Sequence, residues 1–444
     1  MNPSIPPVRP ARSLLLLALL AAGIAPAYAQ QDGDHAALLE QVAQLRAQQA
    51  QLARMQQDNE AALRTLESRL GVAAVPAMAP PAAPAAAPVA PASAPAAPAT
   101  TASALSRLTV SGDMRVRSQF ENSNDNARDR TSGQVRGRLA AAFAVNDRIS
   151  IGARLVTGNP DDPRSTDVQL SNWDNDLEVS LDQAWLKLAF GALDVHAGKI
   201  PQPFTRTELV WDGDVNPQGL SANWKHALAD GGGLRANGLF FVIDEQATGG
   251  DSTMVGAQVG YDSPALGDWR FDASAAHYRY SIGSTVGATA TDWRSNLLNP
   301  DGSYVSGFHL NDVILGASYS GWGERWPLRI VGDYVHNSAA RTDADSGYGV
   351  DLLLGRAQQP GDWRVSYGHS MAEVDAVLTA FSHDNIGLAS NYRMHAFGVD
   401  YVPWPKTTLS ALWYRYRPLS ARYAGSADPG DWLNRFRVAL MVSF

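Results

Sequence analysis

The chain lacks cysteine altogether, has only four lysines beside 32 arginines, and is 18% charged over its 444 residues. Without a thiol there is no disulfide scaffold, no thiolate metal site and no cysteine nucleophile. A net charge of −8 argues against a surface built for nucleic acid. Apart from one short apolar run near its start the chain has no long hydrophobic stretch, and its mean hydropathy is −0.19, which excludes a helical-bundle membrane protein. It contains no G-x-S-x-G elbow and no H-E-x-x-H pair, and its nine histidines show no ligand spacing. No enzyme activity, cofactor or metal site is therefore expected. A soluble multidomain protein and a β-barrel, whose apolar face hides in a period-2 pattern, both remain.

What is present begins with an export signal over residues 1–29. Arg9 and Arg12 precede the apolar run Leu14 to Ile24, and Ala27-Tyr28-Ala29 has the form of a cleavage site. That run is too short to anchor as a helix. In residues 30–70, Leu38, Val42, Leu45, Leu52, Leu63, Leu66 and Leu70 share one heptad frame, with Gln49, Gln56 and Asn59 at the remaining core positions. The pattern reads as a short periplasmic coiled coil whose polar core positions set register and stoichiometry. A single amphipathic helix is the alternative. Residues 71–105 carry no charge and eight prolines from Pro76 to Pro98, so they form an extended spacer or a plain tether.

From Arg107 onward, apolar and polar residues alternate, beginning with Leu108-Thr109-Val110-Ser111 and continuing through Met114-Arg115-Val116-Arg117. The pattern recurs, and helical segments that could cover the apolar faces are scarce. Residues 106–444 are therefore expected to form an all-β transmembrane barrel of about sixteen antiparallel strands, an even number that leaves both ends in the periplasm. Upward strands are expected near 107–120, 148–157, 192–199, 233–243, 269–281, 326–336, 362–371 and 407–417. Downward strands fall near 133–145, 180–190, 219–226, 253–261, 309–319, 347–356, 391–402 and 432–444. The phase of 180–190, 233–243 and 269–281 is ambiguous. Tight connections such as Asn146-Asp147 and Pro403-Trp404-Pro405-Lys406 alternate with segments read as long and polar: 158–179, 200–218, 282–308 and 371–390. Trp224, Trp269, Trp326, Trp363 and Trp404 flank the short turns, as an interfacial girdle requires. In the last strand Phe436, Val438, Leu440, Val442 and Phe444 face lipid; the terminal Phe resembles the membrane-insertion signal read by the barrel-assembly machinery.

Gly198-Lys199-Ile200-Pro201-Gln202-Pro203-Phe204, followed by Leu209-Val210-Trp211-Asp212-Gly213-Asp214-Val215-Asn216-Pro217-Gln218-Gly219, resembles the putative-porin family of Gram-negative outer-membrane proteins. Leu181 to Leu186 and Glu373 to Ser382, with His383-Asp384, are similar to it as well. The resemblance covers about 107–444 and implies a β-barrel channel. By analogy with general porins the third external loop folds inward, placing Lys199, Glu208, Trp211, Asp212 and Asp214 at a constriction. Alternatively, Trp211, Asp212 and Pro217 lock the loop's shape through turns and hydrogen bonds.

A second lumen element comes from the inward phase of the first and last strands. Arg115, Arg117, Arg136, Arg138, Arg154, Arg415, Arg417, Arg435 and Arg437 are expected to line one wall and, opposite an acidic loop, to filter solutes by charge. The carboxylates from Asp161 to Glu178 lack the spacing of an EF-hand and read as solvated charge. These features point to a passive outer-membrane channel for small hydrophilic solutes or ions, likened to trimeric porins and surrounded by outer-membrane lipid and lipopolysaccharide. The alternative is a structural anchor that tethers the envelope through the coiled coil.

Overall fold

The computed structural model describes residues 106–444 except 123–128, 160–161, 163, 172, 174–176, 284–295 and 425–428. The expected signal segment, heptad helix and spacer lie outside the described residues.

Period-2 alternation becomes one closed antiparallel sheet. Its first half comprises β1 (Leu108–Glu121), β2 (Arg130–Ala144), β3 (Ile149–Thr157), the two-residue β4 (Val168–Gln169), β5 (Val179–Phe190), β6 (Leu193–Lys199), β7 (Gln218–Ala227) and β8 (Gly233–Asp244). The second half comprises β9 (Ser252–Asp262), β10 (Trp269–Ser281), β11 (His309–Tyr319), β12 (Leu328–Asn337), β13 (Ser346–Gly355), β14 (Trp363–Ala372), β15 (Tyr392–Tyr401), β16 (Thr407–Pro418) and β17 (Leu433–Ser443). Sixteen of these strands make the barrel. β4 is an extra piece of the second external loop that pairs with β2 where β3 has ended, through Gln134–Gln169 and Val135–Val168. Pairing of β1 with β17, from Asp113–Ser443 to Glu121–Arg435, closes the cylinder and leaves no free edge.

Every expected barrel strand is found, each boundary within three residues of its expected place. The five tryptophans Trp224, Trp269, Trp326, Trp363 and Trp404 are all exposed at the end that carries the short turns. The tight turn after β2 is held by Asn146, whose Oδ1 accepts the backbone N–H groups of Arg148 and Ile149. Phe436, Val438, Leu440, Val442 and Phe444 alternate outward along β17 and its terminus, all exposed.

The ambiguous phases have a physical cause. On β8 and β10 both faces are apolar: Phe240 and Phe271 point out, while Leu239, Phe241, Tyr278 and Tyr280 are buried inside. On β5 a bulge shifts register between Arg154 and Leu155 of its neighbour, so Asp182 and Gln183 together oppose one residue. The inward aromatics are explained by what fills the barrel. The third external loop (L3, 200–217) and the seventh (L7, 373–391) fold into the lumen and share one apolar core with the inner faces of β8 to β16. The segment 371–390, expected to be polar, is therefore corrected: Val374, Ala376, Val377, Leu378, Ala380 and Phe381 are all buried.

Candidate functional site: the lumen and its two inward loops

L3 enters and leaves the wall at glycines. Gly198 has φ +113° and Gly219 φ +145°, and a Cβ would come within 2.3 Å of the Ala184 carbonyl oxygen and 2.1 Å of that of Phe240 respectively. Only glycine combines this backbone with so close an approach. The base is closed by the Ile200 N–H donating to the Pro217 carbonyl at 2.7 Å. Gln258 of β9 grips the loop from the wall. Its Oε1 accepts the Thr205 N–H at 2.8 Å and its Nε2 donates to the Thr205 carbonyl at 2.7 Å. Thr207 donates its hydroxyl to Asp333 of β12.

At the tip Trp211 is fully buried. Its ring stacks on Phe381 of L7 at 5.7 Å and meets Tyr278 edge-on at 5.6 Å. Asp212 donates its N–H to the Phe381 carbonyl at 2.8 Å, and its carboxylate oxygens accept the N–H groups of Asp214 at 2.8 Å and Asp384 at 3.4 Å. The two loops are thus clasped through backbone and rings together. Burial, then the negative charges of Glu208 and Asp384, push the Asp212 carboxyl up to about 9. Glu208 pairs with Arg206 at 3.1 Å and keeps about half of its side-chain surface (47%) open to the lumen. The enclosing walls nevertheless raise its carboxyl above the usual carboxylate range.

L7 is fastened on every side. Asn296 donates to the carbonyls of Val374 and Val377, both at 2.9 Å, and its Oδ1 accepts the Thr379 N–H at 2.9 Å. The fully buried Asp375 accepts from Ser306 at 2.6 Å. Arg435 donates to the carbonyls of Asp384 and Asn385. His383 is buried against Tyr392 with ring centroids 4.9 Å apart, and neither ring nitrogen meets a hydrogen-bond partner among the described residues. Burial first, then the positive field of Arg164, Arg435 and Arg437, hold its imidazole down at about 3.

Of the nine wall arginines, seven lie on the inner face. Arg115 and Arg117 both reach Asp167 at 2.6 Å, and Arg136 and Arg138 share Asp113 at 2.9 and 2.8 Å. Arg138 also meets Asp214 of L3 at 3.2 Å, Arg154 pairs with Asp182, and Arg435 with Glu121 at 2.8 Å. Arg437 donates instead to Gln119 at 2.7 Å and to Asn385 at 3.1 Å. Arg415 and Arg417 are corrected: they lie on the outer face, because Tyr414 and Tyr416 take the inward positions of β16 and pack into the lumen core. An apolar lumen filling inverts the usual rule that the charged phase points inward.

Among the L3 residues named from sequence, Trp211 and Asp212 shape the loop, whereas Asp214 bridges to the wall through Arg138 and Thr166. Asn216, hydrogen-bonded to Gln183 at 2.8 Å, joins the same network. Lys199 ends β6 and lines a cavity with Asp182, Asp214 and Asn216. Sequence reading missed L7 as the partner of L3. Its signal was the apolar-rich stretch Val374 to Phe381, interrupted only by Asp375 and Thr379, in a segment that should have faced water.

No curated protein matches the chain. Among solved structures the barrel is similar to OprB of Pseudomonas putida at high pH, with TM-score 0.53, 11% identity, and coverage of 78% of this chain and 96% of that one. Lower scores are found with Vibrio cholerae OmpT lacking loop L8 (TM-score 0.46, 11% identity, 76% and 99% coverage). OmpF of Salmonella typhi in complex with daunomycin is similar at TM-score 0.47, 11% identity, and 76% and 97% coverage. At this identity the likeness to OprB is one of fold. Residues 118–299, which include L3 with both of its glycines, match the family described as putative porin.

Proposed function

We propose that the protein is an outer-membrane porin, passing small hydrophilic solutes or ions by passive diffusion through the part of the lumen that the L3–L7 clasp and the arginine-rich wall it touches leave open. The family match and the barrel fold support an outer-membrane channel rather than an enzyme. The observation that carries the finer reading is the arrangement of charge across the lumen. Seven inward arginines on β1, β2, β3 and β17 face L3 and L7, which bear Glu208, Asp214 and Asp384 beside the proton-retaining Asp212. Fixed charges of opposite sign across a narrow, low-dielectric passage create a transverse field that sorts permeants by charge and dipole.

The wall is not bare charge, since five carboxylates (Asp113, Asp167, Asp182, Asp214 and Glu121) neutralise most of it. This suggests a clean test. Removing Arg115 leaves Asp167 with Arg117, and removing Arg136 leaves Asp113 with Arg138, so neither acid is orphaned. In planar bilayers under a salt gradient, Arg115→Ala/Arg136→Ala should move the reversal potential toward cation preference. An unchanged potential would sink the arginine-wall reading.

A filled lumen also favours a second reading, a structural anchor held in the envelope through the expected coiled coil. Stepwise conductance of the wild type separates the two, because an anchor shows none. Outer-membrane lipid and lipopolysaccharide around the barrel, the barrel-assembly machinery at its terminal Phe444, and association as a homotrimer belong to the same proposal.

A further inference from the structure

The outer face of the barrel has two different halves. In the outer half of β1 to β9, outward positions carry neither arginine nor histidine; Val116, Phe120, Leu155, Leu181 and Phe240 are exposed there. On β14 to β16 the same height carries His369, Arg393, His395, Arg415 and Arg417. They form one patch by register: His369 opposes His395, His395 opposes Arg415, and Arg393 opposes Arg417. Trp432, at the entry to β17, supplies a platform. Its ring lies 5.2 Å from the Arg415 Cζ, 4.8 Å from the Arg417 Cζ and 5.6 Å from the His395 ring.

The three arginines of this patch meet no carboxylate among the described residues. Arg417 donates a hydrogen bond to the Pro429 carbonyl at 3.4 Å, and the Nε of Arg393 has no acceptor. The contrast with the inner wall, where arginines share carboxylates, is direct. Height is the second observation. Trp363 and Tyr401 pack with tilted rings 4.5 Å apart in the girdle beside the short turns, and Phe397 stacks on Trp413 at 5.3 Å higher on the same ladder. Arg393 lies eight residues above Tyr401, about 19 Å at ~3.3 Å per residue and a tilt near 45°. Arg417, opposite Arg393, shares that height, and Arg415, six residues above Leu409, stands about 14 Å up. All three thus lie in the outer half of an apolar band about 25 Å tall, with its outer edge in reach of their long side chains. Guanidiniums at this boundary extend toward headgroups, take phosphate oxygens through two parallel N–H donors, and draw anionic lipid.

We propose that Arg393, Arg415 and Arg417, oriented on Trp432, bind the phosphate of a phosphorylated lipid headgroup in the outer leaflet. The proposal rests on the outer-membrane reading but not on permeation. The full-length protein in phosphatidylcholine nanodiscs is titrated with lipid A and with dephosphorylated lipid A, for the wild type and for Arg393→Gln/Arg415→Gln/Arg417→Gln. Lipid A should bind the wild type on the order of a hundredfold more tightly than the triple variant, the product of roughly fivefold per surface cation. Dephosphorylated lipid A should bind both weakly, and millimolar inorganic phosphate should not displace lipid A.

Equal binding of the two lipids, or unchanged lipid A binding by the variant, overturns the proposal. Displacement by inorganic phosphate overturns it in favour of a free-anion site. Loss of the oligomer with lipid binding intact overturns it in favour of a contact between copies. If the triple variant fails to fold, Arg393→Gln alone decides by a roughly fivefold loss. Single-channel recording keeps the two readings apart: the folded variant should conduct as the wild type does, and a non-conducting wild type would overturn the porin reading while leaving lipid binding to stand.

Discussion

Two buried titratable side chains hold the loop clasp, and their effects have opposite signs. Asp212, raised to about 9 from 3.8, keeps its proton in the docked loop and releases it when the loop opens. The docked state therefore binds more protons between these values, so docking weakens as pH rises from about 4 to about 9. Asp212→Asn, neutral throughout, should remove this slope and leave L3 and L7 better protected from protease at pH 8 than in the wild type. His383, depressed to about 3 from 6.5, refuses a proton in the docked loop that it accepts in the open one. Docking should therefore weaken as pH falls from about 6.5 toward 3, and His383→Phe should abolish that acid limb in the same protection assay. If both variants follow the wild-type profile, these two groups do not govern the clasp.

At the scale of elements, the inward loops decide what the barrel can pass. L7 is apolar where it meets Trp211, and L3 can turn inward only because glycine stands at both of its ends. Phe381→Ala removes the ring stacked on Trp211, a change that costs about 3–5 kcal/mol at buried aromatic sites. That exceeds what the peripheral hydrogen bonds of L7 supply individually, at about 1 kcal/mol each. Single-channel recordings should then show larger and noisier conductance, with barrel heat-modifiability retained. Conductance indistinguishable from wild type would mean that L7 does not limit the passage.

The strands and short turns were legible because period 2 and tryptophans at turn flanks are local signals. Loop docking was not, because Trp211 and Phe381 are 170 positions apart and nothing local pairs them. The phase of β16 failed for the same reason. Tyr414 and Tyr416 point inward toward L7, which leaves Arg415 and Arg417 outside, against the local rule.

At the scale of the whole molecule, the coiled coil expected from the heptad pattern of 30–70 and the spacer expected over 71–105 lie outside the described residues, and the association expected of them is open to test. A helix of some forty residues is about 60 Å long, long enough for a stable coiled coil when packed against copies of itself. A spacer over 71–105 could reach about 100 Å when extended, so a coiled coil beyond it would raise the local concentration of barrels without dictating how they touch. Deleting 30–70 should therefore shift the oligomer toward monomer on seminative gels at high dilution, while the conductance of each barrel stays the same. Replacing Gln49, Gln56 and Asn59 by leucine should make the association tighter but less defined in stoichiometry, since buried polar residues at core positions trade stability for register. An oligomer that survives the deletion unchanged would assign association to the barrel walls and leave the helix as a spacer or as a contact for another periplasmic partner.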